Sequence, residues 1–363
     1  MVIESVDLKN FRNYSIMNME FDPHVNLIYG NNAQGKTNIL ESLYLCATSK
    51  SHRRSKDREI IEFDQDEAHI KMNVMKNQIR YRIDMHLKKS KTKGIAINGI
   101  PIKKAVELFG IINIVFFSPE DLNIIKNGPA ERRRFIDMEL SQLDKIYLSN
   151  LINYNKVLTQ RNKLLKELAF RTTEEDMMTL DIWDIQLVKY GVEVIRSREA
   201  FIQQINEIIK NIHLKLSGGT EHIELEYMPC VEKESLSKAV SQGREKDIRF
   251  KATNYGPHKD DVIFYINGKD VRKYGSQGQK RTAALSLKLA EIELVRLRVK
   301  DTPVLLLDDV LSELDSNRQN FLLDSIGDIQ TIVTCTGLDE FINNRFAINK
   351  IFKVNGGVVE NMN

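Results

Sequence analysis

The sequence contains few cysteines and lacks a long hydrophobic run. The three cysteines are widely separated: Cys46, Cys230 and Cys335. So few and so distant cysteines exclude a disulfide framework and a cysteine-based metal site, and they fit a reducing compartment. The longest apolar run, over 111–117, is too short to cross a bilayer. Acidic residues at Glu4 and Asp7 argue against a signal peptide. We therefore expect a soluble, cytoplasmic protein without a membrane partner.

Net charge is also nearly absent, because 53 lysines and arginines face 50 aspartates and glutamates, giving +3 over 363 residues. A net charge this small does not by itself indicate nucleic-acid binding, so any basic site must come from local clusters. Hydrophobic residues make up 42% and charged residues 28%, which is ordinary for a globular protein and excludes a disordered one. The length allows two or three domains with a sizeable buried core.

The N-terminal part of the chain is predicted to be rich in strands. Short apolar runs predict strands at 2–8, 17–21, 25–29, 68–87 and 95–102. The pair Asn98–Gly99 predicts a tight turn within the last of these segments. The strand over 25–29 feeds a polar, glycine-containing turn, and a helix is predicted after it over 38–47.

The middle of the chain is predicted to be mainly helical. Residues 130–190 contain neither glycine nor proline, and a second helical stretch covers 192–216. Apolar residues recur at close to heptad spacing: Leu140, Leu143, Tyr147, Tyr154, Val157, Leu164 and Leu168. Asn150 and Arg161 interrupt this seam. We interpret the seam as the core of a helical lobe and not as a long coiled-coil arm.

Near the C-terminus, strands are predicted over 262–266 and 303–307, with a helix over 279–299 between them. The buried face of this helix is expected to carry Ala283, Leu287, Ala290, Leu294 and Leu297. The continuous apolar run over 304–307 is typical of a strand that is buried on both faces of a mostly parallel sheet.

These patterns together predict an α/β fold. Both ends of the chain, 1–116 and 251–363, would form one domain, and the helical lobe over 117–250 would be inserted into it.

Residues 30–37 (GNNAQGKT) match the complete phosphate-loop pattern G-x-x-x-x-G-K-[ST]. The residues expected to bind ATP are Gly30, Asn31, Asn32, Ala33, Gln34, Gly35, Lys36 and Thr37. The glycines let the backbone turn its N–H groups toward a polyphosphate, and Lys36 supplies a cation to the β- and γ-phosphates. The Thr37 hydroxyl is suited to Mg²⁺. The loop lies between a predicted strand and a predicted helix, which is the expected context.

A second acidic motif, VLLLDD over 304–309, ends a buried strand. A carboxylate at that place is the usual partner of a phosphate loop. Asp308 is expected to hold Mg²⁺, and Asp309 is placed to act as a general base that polarises the attacking water. The alternative interpretation is a strand end with solvated carboxylates, and the phosphate loop favours the functional one.

Residues 274–281 (YGSQGQKR) open the predicted helix over 279–299. Ser276 and Gly278 would place a hydroxyl and open backbone N–H groups at a helix N-terminus, which is a second anion-binding geometry. Taken alone, the segment is more simply explained as a helix N-cap, since serine and glycine are common at that position.

Two basic clusters are candidates for contact with nucleic-acid phosphates. The first lies within 50–58, where Arg53, Arg54 and Lys56 are the residues proposed to contact DNA, and the second is the triplet Arg132–Arg134. A solvated loop or helix face is the alternative for each cluster. Because no zinc motif, helix-turn-helix or aromatic platform is evident, backbone contacts are expected rather than base readout.

The order of these motifs resembles that of ABC-type ATPase heads, a group that includes the Rad50/SMC-like proteins. More narrowly, the chain is similar to the RecF family of bacterial repair ATPases. The similarity is carried by LKNFRNY at 8–14, by SPEDLNIIKNGPAERRRFID at 118–137 and by GPHKDD at 256–261. It covers nearly the whole chain, and the length fits a head without a long arm.

The resemblance implies a nucleotide site shared between two copies of the chain. ATP on the phosphate loop of one copy would be capped by the signature segment of the other: Ser276, Gln277, Gly278 and Gln279. One phosphate loop and one signature per chain then require a homodimer. Asp315 would lie at that interface, and Arg12 and Asn13 would lie near the nucleotide.

The resemblance also implies weak, DNA-stimulated ATP hydrolysis used as a switch. Asp309 stands where many ABC-type ATPases have glutamate, and its shorter side chain predicts slow hydrolysis. The segment 332–337 lacks the histidine that many such heads place there, so the residue that contacts the γ-phosphate from this stretch is left open.

The implied role is binding of single-stranded gaps, junctions and duplex DNA in recombinational repair and replication, at the nucleoid. RecR and RecO would be partners in helping to load RecA, which supports the SOS response. The alternative function is that of the nucleotide-binding subunit of an ABC transporter, which would explain the phosphate loop and signature equally well.

Overall fold

The structure, a computed structural model, describes residues 1–171, 173–337 and 348–362. Its strands are β1 Val2–Phe11, β2 Tyr14–Glu20, β3 Val25–Tyr29, β4 Glu67–Lys76, β5 Ile79–Lys88, β6 Gly94–Ile97, β7 Ile100–Pro101, β8 Ile114–Phe117, β9 Ile223–Met228, β10 Asp261–Ile266, β11 Lys269–Asp270, β12 Val304–Asp308, β13 Thr331–Cys335, β14 Lys350–Asn355 and β15 Val358–Asn361. Its helices are α1 Lys36–Thr48, α2 Asp57–Ile60, α3 Leu122–Lys126, α4 Pro129–Leu143, α5 Lys145–Leu168, α6 Glu174–Leu216, α7 Leu236–Gln242, α8 Arg244–Phe250, α9 Val271–Tyr274, α10 Gln277–Val299 and α11 Ser316–Ile326.

The strands and helix predicted near the N-terminus are confirmed with one correction. Asn98–Gly99 forms the turn between β6 and β7, as expected. The segment 68–87, however, is a hairpin in which Asn77 and Gln78 join β4 to β5. Both turn residues have left-handed φ values, 48° and 64°, which glycine usually supplies in such turns. Without a glycine, the turn left no clear signal in the sequence.

By its contacts the chain divides into two compact units. The head unit comprises 1–121 and 288–363, and the inserted unit comprises 122–287. Residues 251–287 group with the inserted unit because β10 pairs with β9 along its whole length. The sequence-based boundaries at 116/117 and 250/251 stay predictions.

Within the described residues, the head unit contains two six-stranded sheets. The first is antiparallel, in the order β2-β1-β4-β5-β6-β7. The second has the order β15-β14-β3-β13-β12-β8, and its central strands run parallel. Every residue of β12 and β13 is buried, as expected for strands covered on both faces. Because β3, β13 and β12 are parallel neighbours, their carboxyl ends meet at one edge of this sheet.

The inserted unit is mainly helical, but its helices end at positions that the sequence did not indicate. One break lies at Asp144 and another follows Leu168, the last residue of α5, whereas α6, which begins at Glu174, continues through Gly191. A Cβ on Gly191 would lie 2.9 Å from Leu236 Cδ2 and 3.3 Å from the Tyr154 ring. This glycine therefore permits close packing against α6. The separation of the two predicted helical stretches, up to 190 and from 192, is wrong, because one helix covers both sides of Gly191.

The interruption of the heptad seam at Arg161 is a buried ion cluster. The Arg161 side chain is fully buried, and it donates to Asp184 over 2.6 Å and to Asp247 over 2.7 Å. Arg244 also donates to Asp184, over 2.6 Å. These partners compensate for the cost of burying the charges. In the described residues α5 and α6 pack together inside the unit, and no long coiled-coil arm extends from it.

The C-terminal elements are confirmed apart from one side chain of α10. The expected buried face is present at Ala283, Leu287, Ala290 and Leu294. Leu297 is 66% exposed, because the last residues of α10, from 296 to 299, are no longer covered by the core.

Candidate nucleotide and nucleic-acid sites

The phosphate loop connects β3 to α1 and depends on close backbone contacts. Gly30 has a φ of 157°, and a Cβ there would lie 2.3 Å from the carbonyl oxygen of Val354 in β14. Gly35 has a φ of 116°, and its Cβ would collide with Asn13 and with the Tyr14 hydroxyl. Both glycines are therefore required for the loop to lie against its neighbours.

Lys36 lies along the loop that contains it. Its Nζ donates to the carbonyl oxygens of Gly30, over 2.7 Å, and Asn31, over 3.2 Å. The residue is only 4% exposed. A cation is thus held inside the loop, where the phosphates of a nucleotide would lie.

A hydroxyl and a carboxylate meet at the base of the loop. Thr37 Oγ1 donates to Asp308 Oδ1 over 2.9 Å, and Thr334 Oγ1 donates to the same oxygen over 2.8 Å. Burial raises the pKa of Asp308, an effect that the two hydroxyl groups partly oppose. Hydroxyl and carboxylate oxygens are the ligands that Mg²⁺ prefers. The donor set at the end of β12 therefore fits a magnesium ion.

Asp309 has a strained backbone conformation. Its φ is 52°, a left-handed value that costs energy in a non-glycine residue and that recurs at functional sites. Its backbone N–H donates to Thr334 Oγ1 over 3.0 Å. Among the described residues, no group forms a hydrogen bond or ion pair with its carboxylate. The carboxylate is thus available to a water molecule.

Thr334 is a site residue that the sequence analysis missed. It lies on β13, between the loop strand β3 and the acidic strand β12, and its hydroxyl contacts both Asp308 and the backbone of Asp309. Thr334 is thus the residue of the 332–337 segment that contacts both acidic positions. The one available signal was a polar residue near the end of an apolar strand.

Asn13 contacts the phosphate loop, whereas Arg12 contacts the helix behind it. Asn13 Nδ2 donates to the carbonyl oxygen of Gln34 over 2.9 Å. Arg12 forms a two-point ion pair with Glu41 of α1, with both distances 2.8 Å, and also donates to Ser55 Oγ over 2.6 Å. In this structure the guanidinium of Arg12 is therefore committed to protein groups.

Glu41 is fully buried and was also missed from the sequence. Burial alone would raise its pKa, but hydrogen bonds from Arg12 and Ser51 outweigh burial and hold the pKa below its usual value. Glu41 is therefore ionised in the core, and it ties the turn between β1 and β2 to the helix that follows the phosphate loop.

The signature segment forms a capping box at the start of α10. Ser276 Oγ accepts from the backbone N–H of Gln279 over 3.1 Å, and Gln279 Oε1 accepts from the N–H of Ser276 over 2.9 Å. The N-cap interpretation is thus correct in geometry. Ser276, Gln277 and Gly278 are nevertheless exposed, so a second molecule can reach them.

A chain of polar groups supports this capping box from inside the inserted unit. Gln279 Nε2 donates to Glu221 over 2.9 Å, and the other carboxylate oxygen lies 3.3 Å from Nε2 of buried His213. His213 Nδ1 lies 2.9 Å from the hydroxyl of Ser286, one of the buried residues of α10. This support holds the orientation of the Gln279 amide.

Asp315 forms the N-cap of α11. Its side chain accepts from the backbone N–H of Arg318 over 3.0 Å and pairs with the Arg318 guanidinium. The hydrogen bond from that backbone N–H is the leading cause that lowers the pKa of Asp315. The carboxylate is half exposed, and its place at a subunit interface stays a prediction.

The two basic clusters differ in what their side chains contact. Arg53, Arg54 and Lys56 are exposed, and Arg53 donates to Asn38 Oδ1 over 3.0 Å. Arg132, by contrast, is 3% exposed and forms two hydrogen bonds with Asp261, of 2.6 and 3.0 Å. The structure therefore favours the 50–58 cluster over the arginine triplet as a surface for DNA phosphates.

The triplet has a structural role within the inserted unit. Arg132 also donates to the carbonyl oxygens of Ile124 and Asn127, over 3.0 and 2.8 Å, and Arg133 donates to that of Asp260 over 2.6 Å. The Arg132 guanidinium thus satisfies carbonyl groups at the end of α3, as cations near a helix C-terminus commonly do, and Arg133 satisfies the one that precedes β10.

The fold and this site define a P-loop ATPase head of the SMC-like class. A family model described as RecF/RecN/SMC N terminal domain matches residues 2–360. An SMC head from Pyrococcus furiosus, solved with the C-terminal domain of ScpA, matches with a TM-score of 0.57 at 19% identity, over 99% of this chain and 95% of that one. At that identity the match supports the fold alone.

Closer relatives specify the family. DNA replication and repair protein RecF of Lachnospira eligens is 72% identical over 363 residues, which cover 100% of both chains. RecF of Clostridium perfringens is 46% identical, over 99% of this chain and 100% of the relative. A solved structure of recombination mediator protein RecF-ATPrS in the RecFOR pathway has a TM-score of 0.92 at 35% identity, over 100% of this chain and 98% of that one. The chain belongs to the RecF family of DNA replication and repair proteins.

Family membership confirms the resemblance and the ABC-type fold class. It also favours the repair function over the alternative of an ABC transporter subunit. Among the helices of the described residues, none has the length and apolar character needed to cross a bilayer.

Proposed function

We propose that this chain is an ATP-switched DNA-binding protein of recombinational repair. ATP joins two copies, the dimer holds the DNA backbone, and slow hydrolysis releases it. The observation that carries this proposal is the cluster of Thr37, Asp308 and Thr334 beneath the phosphate loop. The solved RecF structures that match over nearly their whole length are described as complexes with ATP and ATPrS.

Each group of the site has a defined task in this proposal. Mg²⁺, when bound with ATP, supplies charge neutralisation at the phosphates, and Thr37 and Asp308 would hold it. Lys36 binds the β- and γ-phosphates. Asp309 orients a water molecule and accepts its proton. The short side chain of Asp309 holds the base further from that water than glutamate would, so turnover is slow.

The exposed capping box at Ser276 supports a site completed by a second copy. Its open N–H groups lie at the start of α10, where the helix dipole attracts a phosphate. Since each chain carries one loop and one signature, two-fold symmetry would generate two identical ATP sites. Asp315 is proposed to lie at the same interface.

DNA is proposed to bind through phosphate contacts with Arg53, Arg54 and Lys56. We also propose that RecR and RecO are partners, that the protein helps to load RecA at gaps and junctions, and that it supports the SOS response. Family membership and the RecFOR pathway named for a solved member support this proposal. Work on chromosomal DNA would place the protein at the nucleoid in the cytoplasm.

The main test measures the mass of the particle and its DNA affinity with and without Mg²⁺–ATP. We expect ATP to convert monomers to dimers and to raise DNA affinity, because a ligand that binds the dimer stabilises it by mass action. Ser276→Arg should abolish both effects, and the matched control Ser241→Arg, at an exposed serine of α7, should retain them. A wild-type chain that stays monomeric at micromolar concentration with ATP would contradict the proposal.

Two further variants separate the nucleotide site from the DNA surface. Lys36→Arg keeps the charge but loses the compact ammonium group, so weak ATP binding without hydrolysis is expected, and unaltered turnover would contradict the role of Lys36. Replacing Arg53 by alanine should lower the slope of log affinity against log salt by about 0.9 for each DNA phosphate that the arginine neutralises. An unchanged slope would exclude Arg53 from the DNA surface.

A further inference from the structure

Two histidines and a glutamate lie together on the antiparallel sheet of the head unit. His69 of β4 is directly opposite His86 of β5, and Glu67 precedes His69 by two residues, so the three side chains share one face of the sheet. They are partly exposed, at 48% for Glu67, 44% for His69 and 32% for His86. The proposed nucleotide chemistry uses none of them.

The three side chains converge on one point. The imidazole rings are stacked, with centroids 4.0 Å apart and planes inclined by 23°. Glu67 Oε2 lies 2.8 Å from Nε2 of His86, and Glu67 Oε1 lies 3.5 Å from Nε2 of His69. Each imidazole thus turns the same ring nitrogen toward the same carboxylate, and one ligand atom from each residue lies within 4.8 Å of the others.

We propose that Glu67, His69 and His86 form a binding site for a divalent transition-metal ion of the zinc class. Two imidazole nitrogens and a carboxylate oxygen suit Zn²⁺ and its neighbours, whereas Mg²⁺ and Ca²⁺ prefer oxygen ligands alone. Ligands around tetrahedral zinc lie about 3.3 Å apart, so small rotations of these partly exposed side chains are enough to reach that spacing.

The surroundings leave one side of the site open. The paired residue beyond His86 is Gly94 of β6, which carries no side chain. His69 and His86 line a groove of about 580 Å³ on this face, together with Asp7, Lys71 and Asp84. Three protein ligands leave a coordination position for water or for a ligand in that groove, as in metal sites that exchange ligands.

Lys88 lies next to the proposed ligand Glu67. Lys88 Nζ lies 3.7 Å from Glu67 Oε2, where it orients the carboxylate as outer partners of metal ligands commonly do. Lys88 is paired directly opposite Glu67 across the two strands, so the carboxylate is held between the lysine and the imidazoles.

The test titrates Zn²⁺ into the full-length, zinc-free chain by calorimetry. Excess Mg²⁺ is present without ATP, which would itself bind zinc, so that Asp308 and Thr37 do not bind the zinc. We expect one saturable site per chain. His86→Gln and Glu67→Gln should each weaken binding at least about tenfold, because each removes one of three ligands. Zinc should also raise the thermal midpoint of the wild-type chain and not that of the variants.

His24→Gln is the matched control. His24 is an exposed histidine of the same unit that pairs with Asp22 over 3.1 Å, and its variant should bind zinc as the wild type does. Equal zinc affinity in His86→Gln and the wild type, or no saturable binding by the wild type, would overturn the proposal. If His86→Gln lowers the thermal midpoint of the metal-free chain, the zinc affinity of the exposed Glu67→Gln variant is used instead. Weaker zinc binding by Glu67→Gln would support the proposal, and wild-type affinity would overturn it.

Discussion

Replacing Arg12 by methionine tests whether this residue serves the nucleotide or the fold. In the structure Arg12 forms its two-point ion pair with Glu41 and donates to Ser55 and to the carbonyl oxygen of Glu59. The variant removes these four hydrogen bonds and leaves the Glu41 carboxylate buried without its arginine. We therefore expect a loss of stability in the head unit first, and any effect on ATP as a consequence.

The magnitude follows from the burial of the pair. Removing one partner of a buried ion pair costs about 3–5 kcal/mol. The Arg12 side chain is 19% exposed and that of Glu41 is 0% exposed. Because water reaches one side of the pair, we expect a loss of about 3 kcal/mol. For a folding unit of this size, such a loss lowers the thermal midpoint by about 6–12 °C.

The assay is thermal unfolding of the variant, with ATP affinity measured below its midpoint. The double variant Arg12→Met/Glu41→Gln should recover part of the loss, because it no longer buries an unpaired charge. The reasoning would be refuted by an unchanged midpoint together with a tenfold loss of ATP affinity, which would instead place Arg12 in contact with the nucleotide.

The pH dependence of the same pair has a defined sign. The pKa of Glu41 in the folded chain is below its ordinary value of 4.5. The ionised Glu41 therefore stabilises the wild-type fold fully at pH values above 4.5, and this stabilisation is lost as the pH falls through the pKa of the folded chain. In Arg12→Met, burial raises the pKa of Glu41 and no arginine opposes this effect. Acidification therefore protonates the buried carboxylate and stabilises the folded variant. The gap between wild type and variant should therefore narrow from pH 7 toward pH 4.5, and a constant gap would contradict this.

Three other variants test particular contacts. Glu221→Ala should loosen the signature capping box, so that ATP-dependent dimer formation is weakened while the ATP affinity of the monomer is unchanged. Particle mass and nucleotide binding are measured, and an equal loss of dimer formation and ATP affinity would contradict the supporting role of Glu221. Gly30→Ala should destabilise the phosphate loop by about 1–3 kcal/mol in thermal unfolding and abolish ATP binding, whereas Gly128→Ala, in open space, should do neither. Arg161→Met should lower the unfolding free energy by about 3–5 kcal/mol, measured with denaturant, while Arg196→Met at an exposed pair should change it by less than about 1 kcal/mol.

Much of the site could be predicted because its chemistry is contiguous in the sequence. The phosphate loop is eight consecutive residues between a strand and a helix, and Asp308 follows directly on a fully apolar run. The capping box at Ser276 likewise spans four consecutive residues. Patterns of this kind are local, so backbone propensity and side-chain spacing are enough to indicate them.

The remaining features depend on partners that are far apart in the sequence. Arg12 pairs with a glutamate 29 residues later, and Thr334 reaches an aspartate 26 residues earlier. From the sequence, Gly191 indicates a helix break. Its actual role depends on the distant side chains that pack where a Cβ would lie. The triplet Arg132–Arg134 likewise indicates a basic surface. In the structure, however, Arg132 pairs with Asp261, which lies 129 residues away in the sequence.

The sequence by itself therefore determined the class of ATPase head, the phosphate cradle and the acidic strand end, because each is encoded by neighbouring residues. Only the tertiary structure decided which charged side chains are buried and paired, and which remain exposed. The physical reason is that burying a charge is costly unless a partner is present, and the partner is supplied by the packing of distant segments. A linear pattern of charges does not contain that information.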